Sequence, residues 1–159
     1  MTTRIAHLVH GYLGAGKTTF AKRLAERTGA LRYSPDELIV ARFGHDPPAL
    51  HFDAYLERVY AEVNDEWPLT LAAGRDVILD FGFWTRAWRD AARARAASVG
   101  AGTDLYFVRC SEATARARCV RRNENPGSSL IVTENTFEVL RARFQPLGPD
   151  EPFELVETD

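Results

Sequence analysis

Lysine is nearly absent from this 159-residue chain: of its 20 basic residues only Lys17 and Lys22 are lysines, which leaves 18 arginines. Mutational bias toward arginine codons covers the general excess, so the position of each lysine carries information, and Lys17 lies inside a glycine loop. Cysteine is scarce as well. Cys110 and Cys119 form no CxxC and no metal-ligand spacing, which excludes a disulfide framework and a zinc site and leaves two buried thiols. No stretch approaches the roughly 20 uninterrupted apolar residues of a membrane span. The start, Met1 to Ile5, lacks the basic-then-apolar order of a signal peptide, so a cytoplasmic protein without membrane contact is expected. A net charge of −2 gives no general nucleic-acid-binding face, although a local basic groove stays open. With 45% hydrophobic and 26% charged residues, 11 Gly and 8 Pro, the chain is neither disordered nor collagen-like, and residues 1–159 read as one domain.

What is present alternates between two periodicities. Ile5 to Val9 is a short apolar run of the kind a buried parallel strand shows, and a helical pattern follows from Lys17 to Thr28, closed by Gly29. Leu31 to Tyr33 reads as a second strand. Ser34, Pro35 and Glu37 read as a capping box with proline at the first helical position. A long helix carries Phe52, Leu56, Val59, Val63 and Trp67 at three- to four-residue spacing, and Pro68 is expected to kink or split it. Val77 to Leu79, ending at Asp80, gives a third strand and Leu105 to Val108 a fourth; Thr85, Ser111 and Thr133 are the expected caps of three more helices, the last reaching about Phe144. Phe153 to Val156 completes a five-stranded parallel sheet. The expected fold is therefore α/β, a three-layer sandwich, because each parallel strand pair needs a right-handed crossover.

Gly11-Tyr12-Leu13-Gly14-Ala15-Gly16-Lys17-Thr18 satisfies GxxxxGK[ST] between a strand and a helix. Such a loop turns successive N–H groups into one concavity at a helix N-terminus, where a polyphosphate fits. The expected ATP site is Gly11, Gly14, Ala15, Gly16, Lys17, Thr18 and Thr19, with Lys17 reaching the β- and γ-phosphates and Thr18 completing a Mg²⁺ shell. Asp80, after an apolar strand, is the second expected Mg²⁺ ligand. Asp36 has two readings. An acid in a first helical turn suits the macrodipole, but a carboxylate beyond the carboxyl end of a strand also suits a base that accepts the proton of an attacking hydroxyl.

Arg86 and Arg89 oppose the dipole at a helix start, which makes them candidates to bind an anion unless Asp90 and solvent absorb them. Trp84, beside a glycine, is a candidate platform for a flat acceptor. Arg116, Arg118, Arg121 and Arg122 form the densest basic cluster, ahead of a loop running from Asn123 to Ser129. A lid over 116–130 would bring charge to a γ-phosphate on closure. His7 reads as a strand residue, and His45 and His51 as loop polarity rather than metal ligands.

GYLGAGKTT, the SPDE after the second strand, VILDFGFW and RARCVRRN together resemble the small P-loop kinases, a group with gluconate kinase, chloramphenicol phosphotransferase, zeta toxins and the kinase domain of polynucleotide kinase, and above all its AAA-type predicted kinases. The resemblance runs over most of the chain. It implies that Asp36 binds the acceptor hydroxyl and serves as base, and that the lid arginines are Arg118 and Arg122. The implied activity is transfer of the γ-phosphate of ATP to a small-molecule alcohol. A switch-type ATPase and a polynucleotide 5′-kinase are the alternatives; no NKxD motif is present for a guanine-nucleotide switch.

Overall fold

A computed structural model describes residues 3–127 and 129–159. Strands β1 (Ile5–His10), β2 (Leu31–Tyr33), β3 (Val77–Gly82), β4 (Gly102–Arg109) and β5 (Glu154–Glu157) form one sheet in the order β2-β3-β1-β4-β5, every pair parallel. The helices are α1 (Lys17–Thr28), α2 (Pro35–Phe43), α3 (Ala49–Ala72), α4 (Arg86–Ser98), α5 (Glu112–Glu124) and α6 (Glu134–Arg141). β1 and β3 are covered on both faces. On one face Val59, Val63, Trp67 and Leu71 of α3 and Ala92 and Ala96 of α4 pack against Leu8 and Leu79; on the other Ala21 and Leu24 of α1 pack against Val9, Ile78 and Val108. This is the expected three-layer α/β sandwich. The chain leaves β1 toward β2 on one side, while β4 flanks β1 on the other. The carboxyl end of β1 is thus the switch point where open α/β sheets form their cleft.

Several local expectations change. Helix α3 is not split at Pro68. The missing proline N–H removes one backbone bond, while neighbouring Trp67 is fully buried and donates its indole N–H to Asn64 Oδ1 at 2.9 Å, so packing holds the turn together. Ser34 sits at the N-cap of α2 with Pro35 behind it but makes no side-chain cap bond, and Glu37 accepts from Arg32 Nη2 at 2.8 Å instead of completing a capping box. Thr85, Ser111 and Thr133 do cap α4, α5 and α6. Asp80 does not end its strand, since β3 continues to Gly82 opposite His10. Helix α6 stops at Arg141.

Arg86 and Arg89 are not available to an anion. Arg89 is fully buried: its guanidinium bonds Glu151 at 2.9 and 3.0 Å, Phe83 O at 2.9 Å, and Gln145 O and Pro146 O at 3.2 Å. Arg86 is held by Asp90 at 3.0 Å and by both oxygens of Asp150 at 2.9 and 2.8 Å. The acceptor role expected for them is corrected, because carboxylates from a distant segment, unreadable from spacing, neutralise them. What they bind is the chain itself: α4 is tied to the segment before β5, and Phe83, a non-glycine residue at φ 51°, has its carbonyl fixed in that strained turn.

Acid should loosen this arrangement in two stages. Burial depresses His10 from 6.5 to about 4 despite its bonds to Phe83 O and Gly82 O. Burial opposes ionisation of Glu151, yet bonds from Arg89, the Gly148 N–H and Arg93 outweigh it and hold the carboxyl at about 2. Both groups bind protons more weakly in the folded state. Stability is therefore full above the unfolded His value of 6.5, declines toward pH 4 through His10, and declines again from 4.5 toward 2 through Glu151. Urea midpoints measured from pH 8 to 3 should show that fall, and Arg89→Met, which removes the fully buried partner of Glu151 and leaves it only Arg93, Arg86 and the Gly148 N–H, should cost ~3 kcal/mol at pH 7.

Candidate active site

The loop after β1 has the backbone its glycines permit. Gly14 and Gly16 lie at φ 76° and 97°, and a Cβ on Gly14 would come within 2.4 Å of Ala115 O. Gly11 is closed in from the other side, where a Cβ would sit 2.3 Å from Val108 O. The loop is also cross-tied to the turn after β3. Gly11 N donates to Gly82 O at 3.1 Å, Trp84 Nε1 donates to Gly11 O at 3.1 Å, and His10 Nδ1 lies 3.2 and 3.0 Å from Gly82 O and Phe83 O. Nδ1 facing two acceptors must carry the proton. From beyond β5, Thr158 donates to Ala15 O, and Arg118 bridges Gly14 O at 3.1 Å and Thr158 Oγ1 at 2.9 Å.

Four charged side chains meet beside this loop. Lys17 donates to Tyr12 O at 2.7 Å and is lowered in pKa by burial, against the pull of Asp80 and Asp36, with Arg122 adding to the lowering. Asp36, from the first turn of α2, is open to solvent at the cleft mouth. Desolvation by the protein packed around it, then Asp80, raises its pKa, while Lys17 and Arg122 oppose the rise. Asp80 is buried and raised by desolvation, opposed by Lys17, the Thr18 hydrogen bond and Arg32. The sheet thus brings residues 17, 36, 80 and 122 within electrostatic reach of one another.

Thr18 Oγ1 donates to Asp80 Oδ2 at 2.9 Å, so a hydroxyl and a carboxylate stand side by side where a hard, oxygen-seeking cation would be held. Among the described residues no group of three or more His, Cys, Asp or Glu forms a protein-only metal cage. This pair fits Mg²⁺, which takes few protein ligands and fills its octahedron with phosphate oxygens and waters.

The arginine cluster divides by partner. Arg116 is taken by Glu112, Glu134 and Glu138 and lies over the Phe137 ring. Arg118 braces the glycine loop and Thr158, which leaves Arg122 as the arginine of the expected lid that faces Lys17 and Asp36. The segment beyond α5 is tied across the cleft: Asn123 Nδ2 donates to Val132 O at 2.6 Å, Ile131 N donates to His45 O at 2.8 Å, and His45 Nδ1 is 2.9 Å from Ser129 O. Ser128, part of the expected lid loop, lies outside the described residues. Trp84, the expected acceptor platform, braces Gly11 through its indole N–H, and its ring lies 5.9 Å from that of Tyr12.

Three residues escaped the sequence reading. Arg32 lies 3.6 Å from Asp80 Oδ2, with Nη1 buried and free of hydrogen bonds. An arginine inside a three-residue strand between Leu31 and Tyr33 was the available signal. Tyr60 lies close enough to Asp36 and Asp80 that both reinforce the strong elevation that burial imposes on its hydroxyl. Its position four residues past Leu56 puts it on the helix's inner stripe. Thr158 had no signal, since nothing local marks a C-terminal threonine as a neighbour of Ala15.

A model of the AAA domain family matches residues 7–147. Similar solved structures include a predicted kinase from Chloroflexus aurantiacus (TM-score 0.78, 17% identity, 98% of this chain and 88% of that one). A sugar kinase from Janibacter sp. HTCC2649 has TM-score 0.66 and 20% identity over 98% and 85% of the two chains. Kti12 from Chaetomium thermophilum, in complex with ADP-AlF3, has TM-score 0.71 and 24% identity over 97% and 89%. No curated protein matches the chain.

Trp84→Phe keeps the ring and removes one hydrogen bond to the loop. It should lower stability by about 1 kcal/mol and weaken ATP binding severalfold in titration calorimetry; unchanged affinity would mean that the brace does not shape the loop.

Proposed function

This chain belongs to the AAA domain family, and we propose that it is an ATP-dependent phosphotransferase that moves the γ-phosphoryl group of ATP to a hydroxyl of a small molecule. The observation that carries this reading is the placement of Asp36 opposite the glycine loop, within electrostatic reach of Lys17, Asp80 and Arg122. A bare nucleotide switch has no use for a carboxylate there. The cap of α2 does not explain it either, since the N-cap residue is Ser34 and proline fills the first helical position.

In this reading the loop amides and Lys17 bind the triphosphate, which replaces the Tyr12 carbonyl as partner of the ammonium. Thr18 and Asp80 would hold Mg²⁺, which when bound neutralises phosphate charge. Asp36 accepts a hydrogen bond from the acceptor hydroxyl and takes its proton as the new O–P bond forms and the bond to the β-phosphate oxygen breaks, releasing ADP. Arg122 offsets the charge spread over the transferring phosphoryl oxygens. Positioning and electrostatics supply the acceleration. Because Asp36 must be ionised to act and its pKa is raised above 3.8, the acid limb of kcat should lie above the ordinary aspartate range.

Asp36→Asn should lower phosphoryl transfer about 10²–10⁴-fold with ATP affinity retained. The same variant should melt higher than wild type at pH 7. A carboxyl whose folded pKa is raised loses stability by ionising, and the neutral amide removes that cost. Radiolabelled ATP assayed against alcohol panels, with a melting curve for each variant, checks both. Arg122→Ala should cost about 10²–10³ in kcat. Stoichiometric ATP hydrolysis indifferent to every added alcohol, in wild type and Asp36→Asn alike, would replace this reading with a switch-type ATPase.

A further inference from the structure

A cavity of about 280 Å³ opens between α3 and α4 against the end of β3. Its wall is aromatic: Tyr60 lies 5.3 Å from both Phe81 and Trp88, and Phe81 stacks on Phe83 at 5.2 Å. Trp88 stays 40% exposed, a large apolar surface turned to an opening rather than into the core. Tyr60 joins this cavity to the catalytic cluster, since its hydroxyl feels Asp36 and Asp80 and Phe81 directly follows Asp80.

The charges around the cavity are selective. Asp53 and Glu57 line it one helical turn apart on α3, and among the described residues neither has a basic partner within ion-pair distance. Like charges four residues apart weaken a helix by roughly 0.2–0.5 kcal/mol, a defect that a ligand cation would relieve. Arg95 is the one basic residue in the lining, alongside Asn64; with α3 and α4 both running from the carboxyl to the amino edge of the sheet, these two lie at the end away from the catalytic mouth. Arg86 and Arg89, which would otherwise draw a carboxylate or phosphate, are saturated by Asp90, Asp150 and Glu151.

We propose that this cavity is the acceptor pocket and that it takes a compact aromatic alcohol bearing an amino group, with the ring on Tyr60, Phe81 and Trp88 and the ammonium at Asp53 and Glu57. The inference rests on the phosphotransferase reading for the fate of the hydroxyl but not for the binding. A volume at the low end of the roughly 300–1,000 Å³ of ligand sites suits one ring with a short side chain. Sugar acids and nucleotides are poor acceptors, because a second anion at the mouth meets Asp53 and Glu57, and Arg95 lies at the opposite end of the cavity.

The test uses the full chain and three probes: 2-amino-1-phenylethanol, 2-phenylethanol and gluconate. Quenching of Trp88 fluorescence, with Trp88→Phe as the blank, should report binding of the amino alcohol at least tenfold tighter than of 2-phenylethanol, with none of gluconate. Asp53→Asn combined with Glu57→Gln, both exposed positions whose repulsion is thereby removed, should bring the ratio between the two aromatic probes to within twofold of one. Ala91→Phe, which fills the cavity from α4, should abolish the quench. Binding with this pattern but no transfer of label from ATP would uphold the pocket and overturn the kinase reading. Transfer to gluconate in preference to both aromatic probes would overturn the pocket and leave the kinase reading standing.

Discussion

The buried guanidinium of Arg89 is the constraint on which the site depends. Alone in a helix start it would be a desolvated cation repelled by the dipole; with Glu151 it becomes a paired charge whose donors are shared among three carbonyls. One of those carbonyls belongs to Phe83, held at positive φ, and the same carbonyl meets His10 Nδ1 at the end of β1. The phosphate-loop entrance, the turn after Asp80 and the segment before β5 are therefore one hydrogen-bonded body. A loop able to cradle phosphates without reorganising needs such a body, because amides that had to be collected at the moment of binding would forfeit much of their electrostatic effect.

The candidate cluster beside the glycine loop is strained electrostatically where the scaffold is satisfied. Desolvation by the surrounding protein raises both carboxyls; Asp80 adds to the rise at Asp36, where Lys17 and Arg122 oppose it, while Lys17, the Thr18 hydrogen bond and Arg32 oppose it at Asp80. Lys17, Asp36 and Asp80 would each carry their charge at lower cost in water. That imbalance is what a site for Mg²⁺ and a triphosphate should show in the absence of both, with carboxylates awaiting a cation and cations awaiting phosphate.

Much of the fold was legible because its signals are local. The glycine loop, the apolar strands and the caps at Thr85, Ser111 and Thr133 depend on residues within four positions of each other, and they stand where the sequence puts them. The candidate site was legible in part. Lys17, Thr18, Asp36 and Asp80 sit at the carboxyl edge of the sheet, where topology gathers them. The arginines were not separable, since what distinguishes Arg122 from Arg118 or Arg116 is a partner 22 to 104 residues away. For the same reason Arg86 and Arg89 read as anion binders: their rule violation is real, but its compensation comes from Asp150 and Glu151 rather than from a ligand.

That compensation has a consequence for specificity. A guanidinium that is fully buried and bonded on every edge projects little potential into a neighbouring cavity, because its field is cancelled by the carboxylate beside it. Arg89 thus offers almost no attraction for an anion, and Arg86, though partly exposed, is paired with Asp90, Asp150 and Glu151. Asp53 and Glu57 are exposed and, among the described residues, have no ion-pair partner, so their charge is met only by solvent screening. The sign of the potential at the cavity mouth is therefore set by two exposed acids rather than by the more numerous arginines nearby, and chain-wide arginine abundance says nothing about the charge of the acceptor.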